Sequence, residues 1–190
     1  MIPSTAEPVL ILDRDGVINE DSDDYIKSLD EWQPIPGSIA AIARLSQAGY
    51  RIAIATNQSG IARGLFSLSD LNAMHQTLRD LVAAQGGRIE MIAFCPHGPD
   101  DQCSCRKPQT GLFDEIASRM NVDLAGVPVI GDTLNDIRVA RQVGAAPWLV
   151  MTGKGKRTLT TMQQHADLLD AVAVCQDLSA VADRLLHDRG

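Results

Sequence analysis

Short apolar runs recur along this chain, and stretches with helical spacing fill the gaps between them. That alternation limits the fold more than any other feature. PVLILD (8–13), RIAIAT (51–56), IEMIAF (89–94), VPVIGD (127–132) and PWLVM (147–151) read as buried strands by length and by their aliphatic and β-branched content. Between them, GSIAAIARLSQAG (37–49) sets Ile39, Ile42 and Leu45 on one helical face and ends at Gly49, a C-cap residue. The next helical stretch opens with Ser67 three residues before Asp70, a capping-box start, and carries Leu71, Met74, Leu78, Leu81 and Val82 as its apolar stripe. Helices are also predicted over 111–120 and 133–144. From Gly153 to about Asp170 no period stands out; a short strand over 171–174 and a helix over 178–187 close the chain. Strands alternating with helices imply right-handed βαβ units. The expectation is an α/β fold: one Rossmann-like, doubly wound, mostly parallel sheet with helices on both faces, forming a single domain over residues 1–190.

In such sheets ligands bind beyond the carboxyl ends of the strands, so the residues at those ends carry the functional argument. The first strand ends in DRDG, with Asp13 and Asp15 at i and i+2 and Gly16 free to turn sharply. The second ends in TNQSG with Thr56, and the fourth in GDTLND with Asp132 and Asp136. Lys107, in RKP, stands before the helix at 111. Taken singly, DRDG reads as a solvated turn and GDTLND as a helix N-cap. Taken together and in this order, they put several carboxylates, a hydroxyl and an ammonium around one point. Carboxylates that close repel unless a cation neutralises them, and a hard divalent ion such as Mg²⁺ suits an all-oxygen site that also binds phosphate. The lysine and threonine would then stabilise a transferring phosphoryl group. One aspartate would attack phosphorus, and the other would move the protons.

A second constellation lies just before Lys107. Three of the four cysteines and one of the four histidines fall within residues 95–105, as Cys95, His97, Cys103 and Cys105. In a reducing compartment such a set favours metal over disulfide, and Cys₃His suits a closed, structural Zn²⁺ site. The plainer reading is a chance cluster of reduced thiols. The loop holds Pro96, Gly98, Pro99, Asp100 and Asp101, too little apolar surface to bury, so a metal would supply the order that a core cannot. It would also fix Arg106 and Lys107. Cys175 lies far off in a predicted strand and reads as a core residue.

The ordered set LDRDGVIN, TNQSG, RKP and GDTLND resembles the haloacid dehalogenase superfamily of phosphotransferases, over residues 9 to about 152. The resemblance implies Asp13 as nucleophile and Asp15 as general acid/base, with Thr56 and Lys107 on the phosphoryl group. It implies Mg²⁺ on Asp13, the backbone carbonyl of Asp15, and Asp132, with Asp136 behind them or assisting. The gaps from Gly16 to Gly37 and from Gly60 to Phe94 leave no room for a large cap domain, so a nearly capless member is expected. CPHGPDDQCSCRKP, SGIARG (59–64) and TGKGKRT (152–158) resemble the branch that removes the 7-phosphate of D-glycero-D-manno-heptose 1,7-bisphosphate in nucleotide-heptose synthesis for lipopolysaccharide. That branch implies a substrate site lined by Asp21, Ser22, Asp23 and Asp24, by Asn57, Gln58 and Ser59, and by Arg63 and Arg106. Thr133 follows Asp132 where some members carry lysine.

Histidinol-phosphate phosphatase, whose zinc loop is similar, is the alternative within the superfamily. A receiver-type signalling domain also gathers aspartates, a threonine and a lysine around Mg²⁺. Its acceptor, however, would not stand two residues before another aspartate at the end of the first strand, and the Cys/His loop would be surplus. A formal net charge of −7 and only 4% aromatic residues argue against a nucleic-acid partner. No apolar run is long enough to span a membrane and no secretion signal is read at the N-terminus, so a cytoplasmic monomer acting on a small sugar bisphosphate is expected.

Overall fold

A computed structural model describes residues 7–188. Strands β1 (Val9–Leu12), β2 (Arg51–Asn57), β3 (Met91–Cys95), β4 (Pro128–Gly131), β5 (Ala146–Val150) and β6 (Ala173–Cys175) form one sheet in the order β3-β2-β1-β4-β5-β6. Every pairing is parallel, with Leu12 opposite both Ile54 and Ile130. Helices α1 (Ser38–Gln47), α2 (Leu68–Ala84), α3 (Gly111–Met120), α4 (Leu134–Gln142), α5 (Gly155–Gln163) and α6 (Leu178–His187) fill the crossovers and close the chain.

Alternation along the strands divides the core. Leu10, Leu12, Ile52, Ile54 and Ile130 face α1, α2 and α6. Val9, Ile11, Ala53, Ala55 and Val129 face Leu112, Phe113 and Ile116 of α3 and Val139 and Ala140 of α4. Both faces are covered, which is why the strands read as continuous apolar runs. A smaller cluster of Ile137, Leu149 and Met162 seats α5.

The capping box at Ser67 forms as its spacing predicts: the Asp70 carboxylate accepts from the Ser67 backbone N–H at 2.8 Å, and the Asp70 N–H donates to Ser67 Oγ at 3.2 Å. Three expectations shift. Leu81 lies at the edge of the α2 face and is 38% exposed, so the buried stripe is Leu71, Met74, His75, Leu78 and Val82. β3 starts at Met91 and runs on to Cys95, so the first thiol of the Cys/His loop stands on a strand. The segment with no visible period, 153–170, contains α5 and a 3₁₀ turn over Ala166–Leu168. Among the described residues no helix is long and apolar enough to cross a membrane.

The sheet runs outward in both directions from β1, so the switch point lies between β1 and β4. Ligands are expected there, beyond the strand ends.

Candidate active site

Asp13 directly follows β1, and its backbone N–H extends the ladder to Ile130 O at 2.8 Å. Gly16 then takes a left-handed turn (φ 79°). A Cβ there would lie 2.2 Å from Asp132 Oδ2, so the turn and the close approach to β4 both require glycine. Gly131 works in the same way: a Cβ would strike Asp136 Cβ at 2.1 Å. These two glycines bring the carboxylates of Asp13, Asp132 and Asp136 together, with one oxygen of each within 4.8 Å of the others.

Lys107 is buried among them. Its Nζ donates to Ala55 O at 2.7 Å and to Asp136 Oδ1 at 2.6 Å, and lies 3.0 Å from Asp13 Oδ1. Burial alone would lower the pKa of this ammonium, but the two carboxylates outweigh it and raise the pKa above the ordinary lysine value. Asn57 holds the lysine's backbone from both sides: Lys107 N–H donates to Asn57 Oδ1 (3.0 Å) and Asn57 Nδ2 donates to Lys107 O (3.1 Å). Both ends of that amide bond the lysine's backbone, and one N–H of Nδ2 and one lone pair of Oδ1 remain beyond those bonds.

The remaining carboxylates are under strain from one another. Burial pushes Asp13 up to about 7, opposed by Lys107 and reinforced by Asp136 and Asp15. Burial and the charges of Asp13 and Asp136 push Asp132 up to about 8. Asp132 Oδ2 accepts the Lys154 backbone N–H at 2.7 Å, but Oδ1 is buried with no hydrogen-bond partner among the described residues. An orphaned carboxylate oxygen beside other carboxylates fits a hard divalent cation. Asp136 is differently placed: Oδ1 takes Lys107, and Oδ2 takes the backbone N–H (3.0 Å) and hydroxyl (2.6 Å) of Thr133 at the start of α4. Its carboxylate holds the lysine and caps the helix.

Asp15 sits in a denser network. Burial would raise its pKa, but the Arg14 guanidinium and hydrogen bonds from Asn19 and Gln58 lower it below the ordinary carboxylate value. Gln58 Nε2 also donates to the buried Thr56 Oγ1 at 2.8 Å.

A cleft of about 490 Å³ opens over these groups, within the ordinary range for a small-molecule site. Asp13, Asp15, Thr56, Lys107 and Asp132 line it, as do Asp21, Ser22, Asp23, Asn57, Gln58, Ser59 and Arg106. Two expected substrate residues do not. Arg63 is exposed, with its guanidinium 5.8 Å from the Tyr25 ring centroid, and Asp24 is an exposed turn residue whose carbonyl accepts from Lys27. Conversely, Lys154, Arg157 and Thr158 line the cleft unforeseen. Lys154 Nζ lies 2.8 Å from Asp21 Oδ2 and 3.4 Å from Asp23 Oδ1, so its one charge offsets part of theirs. The available signal was TGKGKRT itself, which follows a strand end as DRDG and GDTLND do.

Beside the cleft, Cys95, His97, Cys103 and Cys105 converge. Cys105 Sγ lies 2.9 Å from Cys95 Sγ, 3.2 Å from His97 Nδ1 and 3.5 Å from Cys103 Sγ; Cys95 Sγ lies 3.6 Å from both His97 Nδ1 and Cys103 Sγ. All four cysteines of the chain are unbridged. A Zn–S bond near 2.3 Å puts tetrahedral neighbours about 3.7 Å apart, so the set is slightly contracted around a volume that a metal ion fits. Burial tends to raise the Cys103 thiol, but the Arg106 N–H and the neighbouring thiols bring it down to about 7, near the thiolate form that metals take.

A doubly wound sheet with paired aspartates after β1, a threonine at the carboxyl end of β2 and a buried lysine beside a carboxylate cluster defines a phosphoryl-transfer fold. The chain belongs to the haloacid dehalogenase-like hydrolases: the model of that family matches residues 5–144, and a second HAD-hydrolase-like model matches residues 104–186. It is 57% identical over 179 residues to D-glycero-beta-D-manno-heptose-1,7-bisphosphate 7-phosphatase of Pseudomonas aeruginosa, covering 94% of this chain and 98% of the relative. It is 53% identical over 180 residues to the enzyme of the same name from Bordetella bronchiseptica, covering 95% and 98%. The crystal structure of D,D-heptose 1,7-bisphosphate phosphatase from B. bronchiseptica, complexed with magnesium and phosphate, is similar to this chain with a TM-score of 0.91 at 52% identity, covering 95% of this chain and 99% of that one. The corresponding phosphatase from Burkholderia thailandensis gives a TM-score of 0.73 at 43% identity, covering 94% and 98%.

Proposed function

We propose that this chain, acting as a single domain, hydrolyses the 7-phosphate of D-glycero-D-manno-heptose 1,7-bisphosphate in the beta form named for its relatives. One observation carries the reading. In a chain so similar over its length to heptose bisphosphatases, Asp13 and Asp15 flank the cleft and Lys107 Nζ stands 3.0 Å from Asp13 Oδ1.

Asp13 Oδ1 is occupied by the Arg14 N–H and Lys107, which leaves Oδ2 to attack phosphorus and form an aspartyl phosphate. The P–O bond to the sugar breaks as Asp15, which must enter this step protonated although Arg14, Asn19 and Gln58 favour its anion, delivers that proton to the leaving oxygen; Asp15 then takes one from the water that hydrolyses the acyl phosphate. Thr56 offers its hydroxyl proton to the phosphoryl oxygens. Lys107 already has three acceptors, so it would meet the phosphoryl group by sharing the proton it directs at Asp13. Asp13, the backbone carbonyl of Asp15, and Asp132 are the groups that would hold Mg²⁺, which supplies positive charge against the phosphoryl oxygens. Zn²⁺ is the metal that the Cys₃His set suits, and its part is structural.

Arg106 and Arg157 line the cleft and offer it cations suited to the second phosphate of a bisphosphate. Histidinol phosphate would instead bring an amine and an imidazole, which seek carboxylates. Asp21 and Asp23 are the obvious candidates, and both are already paired with Lys154. The test is ³¹P NMR of the heptose bisphosphate with enzyme and Mg²⁺. Loss of the C7 phosphate with retention of the anomeric one is expected; release of the anomeric phosphate, or no release, would overturn the reading.

A further inference from the structure

Arg14 separates the two aspartates of DRDG. It is among the largest fully buried side chains of the protein, 1% exposed. Burying a guanidinium is expensive unless its charge is paired. Here Nε and Nη2 both donate to Asp15 Oδ1, at 3.0 and 2.7 Å, and Nη2 reaches Gln58 Oε1 at 3.3 Å. Asn19 Nδ2 adds a third donor to the same Oδ1 at 2.9 Å. A carboxylate oxygen has about two lone pairs, so Oδ1 has no capacity left. Among the described residues Oδ2 accepts only Gln58 Nε2, at 2.8 Å. The Gln58 amide is itself fixed at both ends, by Arg14 on its oxygen and by Asp15 and Thr56 on its nitrogen.

We infer that Arg14 and Gln58 are positioning residues that commit one atom, Asp15 Oδ2, to proton transfer at the cleft. Arg14 occupies Oδ1 and sets the plane of the carboxylate. Gln58 locks Oδ2 in line with the Thr56 hydroxyl, so the proton shuttle and one phosphoryl contact move as a unit. This rests on the reading of Asp15 as general acid/base. In the first step the O–H bond at Oδ2 breaks as the leaving oxygen gains that proton, and in the second Oδ2 takes a proton from water. A general acid must lie within hydrogen-bond reach of the proton's destination, so a carboxylate free to rotate would lose part of its effect.

The test is the leaving-group dependence of kcat/KM, which reports the step in which Asp13 is phosphorylated. Aryl phosphates with acidic phenols leave without help, whereas sugar alkoxides need a proton. General acid catalysis is typically worth ~10²–10⁴-fold, so Gln58→Leu and Arg14→Lys are expected to lose about tenfold more on the sugar bisphosphate than on p-nitrophenyl phosphate. Asp15→Asn serves as the reference and should show the largest such difference. Loss that is uniform across leaving groups in Gln58→Leu and Arg14→Lys, beside a leaving-group-dependent loss in Asp15→Asn, overturns the positioning alone. Uniform loss in all three overturns it together with the assignment of Asp15. If Arg14→Lys does not fold, Gln58→Leu decides, since it keeps the buried ion pair of Arg14 and Asp15.

Discussion

Replacing Lys107 by methionine tests the centre of the site through stability rather than turnover. The side chain is 3% exposed, and its ammonium lies 2.6 Å from Asp136 Oδ1 and 3.0 Å from Asp13 Oδ1. Methionine fills a similar volume, so packing is largely kept and the loss is electrostatic. Removing one partner of a buried pair typically costs about 3–5 kcal/mol, because the other charge is left buried and unpaired. Here two carboxylates are left, and Asp132 stands beside them. For a chain of this size 1 kcal/mol shifts Tm by roughly 2–4 °C, so a fall on the order of 10 °C is expected. The carboxylates freed by the change would have raised pKa values in the folded state. That state then binds more protons than the unfolded chain, so stability is lost as pH rises and the deficit should be smaller at pH 5 than at pH 8. Asp136→Asn in the same protein removes one freed charge and keeps an acceptor for Thr133. The double variant should recover about 1–3 kcal/mol relative to the sum of the single changes. Thermal unfolding followed by circular dichroism, with EDTA present so that no divalent ion compensates, measures all four proteins. A loss below about 1 kcal/mol for Lys107→Met, or strict additivity with Asp136→Asn, would refute the argument that this lysine balances the carboxylates.

Three further outcomes are expected. Asp13→Asn should abolish phosphate release with its circular dichroism spectrum retained, because an amide does not attack phosphorus as a carboxylate does; near-wild-type release would remove Asp13 as nucleophile. Cys103→Ser should lose bound zinc on metal analysis and lower Tm and activity together, since the loop carries Arg106 and Lys107; a zinc-free protein with full activity would contradict this. His75 is buried beside Phe94, and burial followed by the charge of Arg14 holds its pKa down to about 3, so it folds neutral. The unfolded chain binds that proton below about 6.5, so stability is lost as pH falls from there toward 3, at up to ~1.4 kcal/mol per pH unit. His75→Leu should flatten the acid limb of the stability profile, and an unchanged slope between pH 6 and 4 would count against it.

The strands were legible because both their faces are buried, which leaves continuous apolar runs, and most helices because each buries one face, which writes a period into the sequence. α5 was not: GKRTLTTMQ buries only Gly155, Thr158 and Met162, so polar residues mask its inward side. Leu81 misled in the opposite direction, since i+3 spacing from Leu78 places it at the margin of a face that Val82 completes. The charged groups at the strand ends were legible for a topological reason. A parallel sheet puts all its carboxyl ends on one side, so Asp13, Thr56 and Asp132 had to meet. What each side chain does there was less visible. Asn57 reads only as a substrate ligand, and the fold adds a second part for it, holding the Lys107 backbone from both sides. Arg14 carries no reading in the sequence, and only the fold shows it buried against Asp15 and Gln58. Hydrogen-bond direction depends on neighbours that are distant in the chain, and single-sequence pattern does not encode it. Lys154 was hidden in the same way, 130 or more positions from the acidic loop that it pairs with.

The central claim is the substrate, and the most direct measurement compares kcat/KM for D-glycero-D-manno-heptose 1,7-bisphosphate and histidinol phosphate, side by side in the same Mg²⁺ buffer. Contacts of the second phosphate with the cleft's cations supply binding energy that can position the reacting end. A preference of at least ~100-fold for the bisphosphate is expected, about 2.7 kcal/mol in the transition state. Equal values, or faster turnover of histidinol phosphate, would contradict it.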